Sequence, residues 1–198
     1  MEMNEYEKYT AFSRDELLSK VEESMSEKRF SHVLGTQETA IQLAKRFGAD
    51  VEKASIAGLV HDYAKERPNE EMIRVIVENH LGEDIIPFGN QIWHGIAGIV
   101  LIEKELGIRD SEILQAVYVH TTGSSNMSLI DKIIYVADYI EPHRHFEDVS
   151  EVRRLAEVDL DEVVKYETEH TLLRLIKEKR AIYPKTIETF NRYVVGMQ

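Results

Sequence analysis

Helix-forming patterns cover nearly the whole chain of 198 residues, and no other feature constrains its fold as strongly. The sequence SRDE at residues 13–16 is a capping box, and it opens a helix that should run to about residue 25. A second helix is predicted over about residues 27–47 and ends at Gly48, because glycine readily adopts the left-handed backbone that closes helices. No stretch convincingly alternates apolar and polar residues with a period of two, so the sequence predicts an all-α fold.

Apolar periodicity, capping residues and helix breakers divide the remaining chain into further helices. One begins at Asp50 and ends near residues 61–65. The others are predicted to cover about Pro68 to His80, Ile92 to Leu106, Asp110 to His120, Ser128 to Ile140, Ser150 to Val158, Leu160 to Lys179 and Pro184 to Val194. The pattern also predicts that Ile73, Ile76, Val77 and His80 share one helix face and that residues 81–91 form a loop. At this length we expect a single domain, an all-α bundle of about nine or ten helices.

Composition and charge exclude several classes of function. The formal net charge is −12, whereas a protein that binds a nucleic-acid backbone needs a basic surface. No apolar stretch approaches the roughly 20 residues that cross a bilayer, and the N-terminal sequence lacks the pattern of a secretory signal. The chain has no cysteine, which excludes disulfides, thiolate nucleophiles and thiolate metal ligands. We therefore expect a cytoplasmic protein that binds neither nucleic acid nor membranes.

Six residues with metal-binding side chains stand in apolar or small-residue settings. They are His32 in SHVLG, His61 and Asp62 in LVHDYAK, His94 in IWHGIAG, His120 in VYVHTTG and Asp138 in KIIYVADYIEP. Each histidine alone is more often an ordinary core or boundary residue, and Asp138 alone could be a salt-bridge partner. Burying an isolated carboxylate is costly, however, so buried carboxylates are usually paired or bound to a metal. Since most of the six lie near helix ends, a helical domain can bring them around one cleft.

The chemistry of this set suits divalent metal ions. Imidazole and carboxylate ligands without sulfur favour iron, manganese, cobalt or zinc. Six ligands exceed the number that one catalytic metal with open positions uses, so they indicate two metals that share a carboxylate. Asp62 is the predicted bridge, because adjacent helical residues diverge by about 100° and His61 and Asp62 can face different sides of one cluster. Among the other histidines, His80 and His170 are interpreted as ordinary residues, and His143 and His145 as exposed loop residues.

With these residues in place, the sequence resembles a known family. The order of the six residues is similar to that of the HD-domain metal-dependent phosphohydrolases. The sequence resembles one subgroup more closely, the bacterial symmetrical diadenosine tetraphosphate hydrolases of the YqeK type. The motifs that carry this resemblance are HDYAKE (61–66), WHG (93–95), HTTG (120–123), KIIYVADYIEPHR (132–144) and YPKTIETFN (183–191). The resemblance covers about residues 28–193, so the helix over about residues 13–25 is expected to be an accessory element of the single HD domain.

The resemblance implies an all-helical HD domain and a centre of two metal ions, iron in the subgroup. It further implies hydrolysis of diadenosine tetraphosphate to two ADP. Because two neighbouring cations lower the pKa of a water that bridges them, hydroxide is the expected nucleophile. The ligands that the resemblance implies for one iron are His32, His61, Asp62 and Asp138, and those for the other are Asp62, His94 and His120. His143 departs from the subgroup, which often has a smaller polar residue at this position; the departure leaves the metal ligands unchanged.

Residues beside the ligands are candidates for binding the substrate and stabilising the transition state. Lys65, one helical turn after Asp62, is the best candidate for neutralising charge that develops in the reaction, so these two residues are predicted to be catalytic. Arg144 follows the last ligand helix and can bind a phosphate with two parallel hydrogen bonds. The remaining candidates for substrate binding are Thr121, Thr122 and Gly123 beside His120, and Arg29 one turn before His32.

Two alternative functions stay open from the sequence. The first is another HD-type nucleotide phosphohydrolase (a phosphodiesterase, a 5′-nucleotidase or a dNTP triphosphohydrolase), since the metals carry the chemistry and the pocket sets the specificity. The second is a non-catalytic helical module that binds a metal or a nucleotide. The identity of the metal, the preference for adenosine or guanosine, and the formation of a two-fold homodimer are likewise open.

Overall fold

Helices joined by short turns make up the computed structural model, which describes residues 5–197. The α-helices are α1 (Arg14–Glu23), α2 (Glu27–Phe47), α3 (Val51–Val60), α4 (Asn69–Glu78), α5 (Asn90–Ile96), α6 (Gly98–Leu106), α7 (Ser111–Val119), α8 (Leu129–Ile140), α9 (Val149–Ala156), α10 (Leu160–Lys177) and α11 (Pro184–Phe190). Short 3-10 turns cover Glu5–Lys8 and Glu83–Phe88, and a π turn covers Asn191–Val195. The described residues contain no β-strand, so the prediction of an all-α fold is confirmed.

Side-chain caps define the ends of the helices that carry the candidate site. Ser26 caps α2, which ends at Gly48 with a left-handed backbone (φ 74°). Asp50 caps α3 and Asp110 caps α7, each by accepting hydrogen bonds from backbone N–H groups of the first turn. Ser128 opens α8 with a capping box. These boundaries agree with the predicted ones, because a cap depends on residues that are neighbours in sequence.

The predicted helix over about residues 92–106 is two helices, α5 and α6. They meet at Ala97, where the backbone N–H of Val100 donates to the carbonyl of Ala97 over 3.2 Å. This bond spans three residues instead of four, and such tightened turns interrupt the regular α-helix. Apolar periodicity continues across the break, so the pattern could not indicate it.

The predicted face of α4 is wrong in part. The helix ends at Glu78, and His80 follows it with a positive φ of 52°. Val77 is 42 % exposed, whereas Met72 and Ile76 are fully buried. The early end of the helix therefore removes His80 from the face, and the buried side is centred on Met72 and Ile76.

The packing of α3 determines where the candidate site lies. Helix α3 packs against α2, α7 and α8, and every residue from position 54 to 60 is buried. His61 and Asp62 directly follow α3, so they are held inside the bundle. Leu17 and Val21 of α1 belong to the same hydrophobic core, although the single-domain boundary itself stays a prediction. Within residues 5–197, no helix has both the length and the apolar character needed to cross a membrane.

Two glycines with left-handed backbones provide a test of the packing. Gly48 has nothing within 4 Å of an added Cβ, whereas a Cβ on Gly123 would lie 2.6 Å from Cγ2 of Thr189. We expect Gly48→Ala to lower the free energy of unfolding by about 1–2 kcal/mol through backbone strain alone. Gly123→Ala should lower it by about 2–5 kcal/mol, because overpacking adds to the strain. Urea denaturation of both variants measures the difference, and equal losses would contradict this packing.

Candidate metal centre

The structure brings the six predicted metal-binding side chains together in one cluster, in which Asp138 is partly exposed and the other five are buried. His32 comes from α2, His61 and Asp62 follow α3, His94 lies in α5, His120 ends α7 and Asp138 lies in α8. Their ligand atoms form three overlapping groups, each with all atoms within 4.8 Å of one another. The groups are His32, His61 and Asp62; His61, His120 and Asp138; and Asp62, His94 and His120.

Asp62 stands between two pairs of imidazoles. Its Oδ1 lies 3.1 Å from Nε2 of His94 and 3.7 Å from Nε2 of His120. Its Oδ2 lies 3.7 Å from Nε2 of His32 and 3.6 Å from Nε2 of His61. Each oxygen therefore faces one pair, which is the arrangement that a carboxylate shared by two cations requires. On the Oδ2 side, Asp138 adds a second carboxylate, whose Oδ1 is 3.1 Å from Nε2 of His32.

The outer nitrogen of each imidazole has a hydrogen-bond partner that orients the ring. Nδ1 of His61 donates to the carbonyl of Gly58 (2.7 Å), and Nδ1 of His94 donates to that of Asn90 (2.6 Å). Nδ1 of His120 donates to the carbonyl of Val117 (2.6 Å), and Nδ1 of His32 donates to Oε1 of Glu141 (3.0 Å). Because carbonyl and carboxylate oxygens only accept, the Nδ1 atoms carry the hydrogens and the Nε2 lone pairs face the cluster.

The inward-facing lone pairs fit a cation. Nε2 of His32 and of His61 is buried and has no hydrogen-bond partner in the described part of the chain. Nε2 of His94 lies 3.0 Å from Nε2 of His120. Two lone pairs at this distance repel each other unless a positive charge stands beside both. The donor set therefore suits divalent metal ions on both sides of Asp62.

Burial keeps His61 and His94 in the form that binds metals. It lowers the pKa of His61 to about 3, and burial together with the neighbouring Lys65 lowers the pKa of His94 to about 4. At His32, by contrast, burial is outweighed by the carboxylates of Asp138 and Glu141, which raise the pKa of the ring. Burial alone would raise the pKa of Asp62, but the neighbouring imidazoles of His61, His120 and His94 hold that pKa well below its usual value. Neutral imidazoles and an ionised carboxylate are the protonation states that metal coordination needs.

A cleft of about 760 Å³ opens beside the cluster, and four predicted substrate-binding residues line it: Arg29, Lys65, Thr121 and Arg144. Nζ of Lys65 lies 3.3 Å from Nε2 of His94. Arg29 donates from Nη1 to Oδ2 of Asp62 over 2.7 Å. Arg144 donates from Nη2 to Oδ1 of Asp138 over 2.6 Å. The three basic side chains therefore lie beside the cluster and line the cleft.

Thr122 and Gly123, the other predicted substrate-binding residues, are not among the residues that line the cleft. The hydroxyl of Thr122 donates to the carbonyl of Gly123 over 2.9 Å, and Gly123 packs against Thr189. The hydroxyl of Thr121, by contrast, is buried without a partner in the described part of the chain. Thr121 is thus the hydroxyl of this segment that is free to bind a ligand.

The remaining histidines lie outside the cluster. His143 and His145 are exposed, as predicted, and His145 lines the cleft. His170 also lines the cleft and stacks on Tyr166, with 3.7 Å between the ring centroids. His80 lies on the surface after α4.

Sequence reasoning missed two buried carboxyl groups near the site. Glu141 is 1 % exposed and holds His32. Its signal was available, since it follows Asp138 by three residues in KIIYVADYIEPHR and three residues make about one helical turn. Glu167 lines the cleft, and burial raises its pKa well above the usual value. A signal for Glu167 was also available, since it follows Val163 and Val164 by four and three residues and so shares the buried face of α10.

Comparison with known proteins identifies the family. The HD domain family matches residues 29–143. A Bacillus subtilis protein named "Bis(5'-nucleosyl)-tetraphosphatase, symmetrical" is 42 % identical over 184 residues, which cover 93 % of this chain and 99 % of the relative. A relative with the same name from Halalkalibacterium halodurans is 42 % identical over 183 residues, covering 92 % of this chain and 98 % of the relative.

A solved structure has the same fold. It is titled "Crystal structure of predicted HD superfamily hydrolase involved in NAD metabolism" and comes from Clostridium acetobutylicum. It matches with a TM-score of 0.88 and 39 % identity, over 94 % of this chain and 99 % of that chain. The resemblance drawn from the sequence motifs is thereby confirmed. The chain belongs to the HD-domain family and, within it, to the symmetrical bis(5′-nucleosyl)-tetraphosphatases.

Proposed function

We propose that the protein hydrolyses diadenosine tetraphosphate symmetrically to two ADP, with two divalent metal ions in the cluster. Iron is the proposed metal, and manganese, cobalt or zinc are proposed substitutes. The substrate is inferred from the names of the relatives. The proposal of two metal ions is supported above all by the position of Asp62, whose two oxygens each face a different pair of imidazole nitrogens.

The proposed ligands divide into two positions that share Asp62. The first is formed by Asp62, His32, His61 and Asp138, and the second by Asp62, His94 and His120. When bound, two divalent cations supply a water activated between them as the nucleophile and neutralise negative charge on the phosphate oxygens. The chain's own contribution is to fix these side chains in place before the substrate arrives.

Three cations of the chain hold and stabilise the tetraphosphate. Lys65 stands on the His94 side of the cluster, where its ammonium group neutralises charge that develops as the phosphate bond breaks. Arg29 and Arg144 are anchored to Asp62 and Asp138, and both line the cleft. Their remaining N–H groups bind the outer phosphates, since guanidinium matches phosphate geometry.

The reaction itself is a balanced hydrolysis. The oxygen of one water adds to one of the two inner phosphorus atoms. The bond then breaks between this phosphorus and the oxygen that bridges the two inner phosphorus atoms. Each half then leaves as ADP, and the protons of the water end on the products or in solvent. A cleft of about 760 Å³ is within the size range of sites that enclose small molecules. The cytoplasmic location, the homodimer and the absence of nucleic-acid or membrane partners stay predictions.

Removing the proposed bridge should empty both metal positions. We expect Asp62→Asn to reduce the metal content from two ions per chain to none, because the amide removes the negative charge that both positions share and leaves one of them facing an NH₂ group. Elemental analysis after anaerobic purification measures the content. Asp15→Asn, at an exposed carboxylate in α1, is the control that should keep both ions. A fully loaded Asp62→Asn protein would show that Asp62 is not the bridge.

The position of cleavage can be read directly from the products. We expect diadenosine tetraphosphate in ¹⁸O-labelled water to give ADP alone, with label on one of the two molecules formed. Chromatography with mass spectrometry separates the nucleotides. ATP together with AMP would contradict symmetrical attack. Activity confined to a monophosphate, a dNTP or a cyclic dinucleotide in the same assay would instead support one of the other HD-type activities.

Lys65 should affect the rate and leave the metals in place. We expect Lys65→Met to retain two ions per chain and to lower kcat by about 10²–10³-fold, which is the usual loss when one charge-stabilising donor is removed. Single-turnover kinetics combined with elemental analysis separates the two effects. Lys104→Met, at an exposed position in α6, should match the wild type. Metal loss in Lys65→Met would place Lys65 in the support of the cluster instead.

A further inference from the structure

We propose that Glu141 is a positioning residue that controls one of the two metal positions and leaves the other unaffected. It acts through His32, and so determines whether the position formed by His32, His61, Asp138 and Asp62 is filled. The inference rests on the two-metal part of the proposed function and does not depend on the substrate.

The four imidazoles differ in the hydrogen-bond partner of Nδ1. The rings of His61, His94 and His120 are oriented by backbone carbonyls of their own helices or turns. Within residues 5–197, His32 alone among the four has a carboxylate as the partner of its Nδ1, namely Glu141 at 3.0 Å. Nδ1 of His94 lies 3.4 Å from a second group, but that group is the ammonium of Lys65. A backbone carbonyl is neutral, whereas a carboxylate adds a negative charge behind the ring. Such a partner raises the basicity of the ligand as well as fixing its orientation.

Glu141 is itself held in place by its neighbours. It caps the end of α8 and is 1 % exposed, and its Oε2 accepts a hydrogen bond from the backbone N–H of His143 over 2.6 Å. The nearest cation, Nε of Arg144, lies 3.9 Å from Oε1. Each carboxylate oxygen therefore has its own donor, and the contact with His32 joins α2 to α8 next to Asp138.

Helix α2 has space for the side chain of Glu141 at Gly35. Gly35 lies in the interior of α2, where glycine lowers helix stability relative to alanine. A Cβ at this position would be 2.6 Å from Oε2 of Glu141 and 3.2 Å from Cδ of Pro142. The absence of a side chain therefore lets the carboxylate reach His32. Gly35→Ala should displace Glu141 even though alanine favours the helix.

Removing the charge of Glu141 should weaken one metal position. Glu141→Gln has one acceptor oxygen for two donors, the Nδ1–H of His32 and the N–H of His143, so one of them faces an NH₂ group. Loss of an outer partner of a ligand histidine typically lowers metal affinity about 10–100-fold. The position of Asp62, His94 and His120 should keep its affinity, because its outer partners are backbone carbonyls.

The test measures metal stoichiometry. Metal-free protein is dialysed against Mn²⁺ buffered at the lowest free concentration that gives the wild type two ions per chain. We expect Glu141→Gln and Gly35→Ala to hold one ion each, and Glu141→Asp to recover part of the second. Combining Glu141→Gln with His94→Ala should leave none, which assigns the ion that Glu141→Gln retains to the His94 side. Glu151→Gln, at an exposed position in α9, should keep two.

Different outcomes separate this inference from the proposed function. A wild type that binds no Mn²⁺, or one ion, overturns the two-metal part of the proposed function. A wild type with two ions and a Glu141→Gln variant that also keeps two, or loses both, overturns the role of Glu141 alone. Thermal unfolding of the metal-free variants should match the wild type within a few degrees, and Gly35→Ala supplies an independent result if Glu141→Gln does not fold.

Discussion

An ionised carboxylate inside a helical bundle is the constraint on which the rest of the structure depends. Asp62 is 3 % exposed, and it reaches that place because α3 is enclosed by α2, α7 and α8. A buried charge is tolerated only where opposite charges and donors surround it. Asp62 is surrounded by Arg29, by four imidazoles from four separate segments and, in the proposed function, by two cations. The helices therefore enclose one charged side chain, and the cleft is the opening that leads to it.

Much of this fold could be predicted from the sequence because helix ends are local. Ser26, Asp50, Asp110 and Ser128 cap the backbone within a few residues, so the ends of their helices were predicted closely. Local sequence patterns are insufficient to predict every helix break and every contact between distant segments. The packing of Gly123 against Thr189 joins segments far apart in the sequence. The break at Ala97 is local, but apolar periodicity continues across it.

The candidate site shows the same division between local and distant effects. Helix periodicity indicates that His94 and His120 lie near helix ends, but it cannot bring the two Nε2 atoms to 3.0 Å from each other. The joint order of the six residues made that meeting predictable, through its resemblance to a family. The family motifs also spanned Thr122, whose hydroxyl is bound within its own turn. A motif fixes which residues belong to a segment, and only packing decides which of them face the ligand.

The contact between α11 and the turn after His120 has a consequence for how the protein matures. Thr189 donates from its hydroxyl to the carbonyl of Thr122 over 2.9 Å, and its methyl group packs on Gly123. Residues 67 positions apart therefore brace the turn that presents one of the imidazoles. A nascent chain still lacking α11 has only the hydrogen bonds within this turn to hold it, so its tertiary support is added among the last events of synthesis.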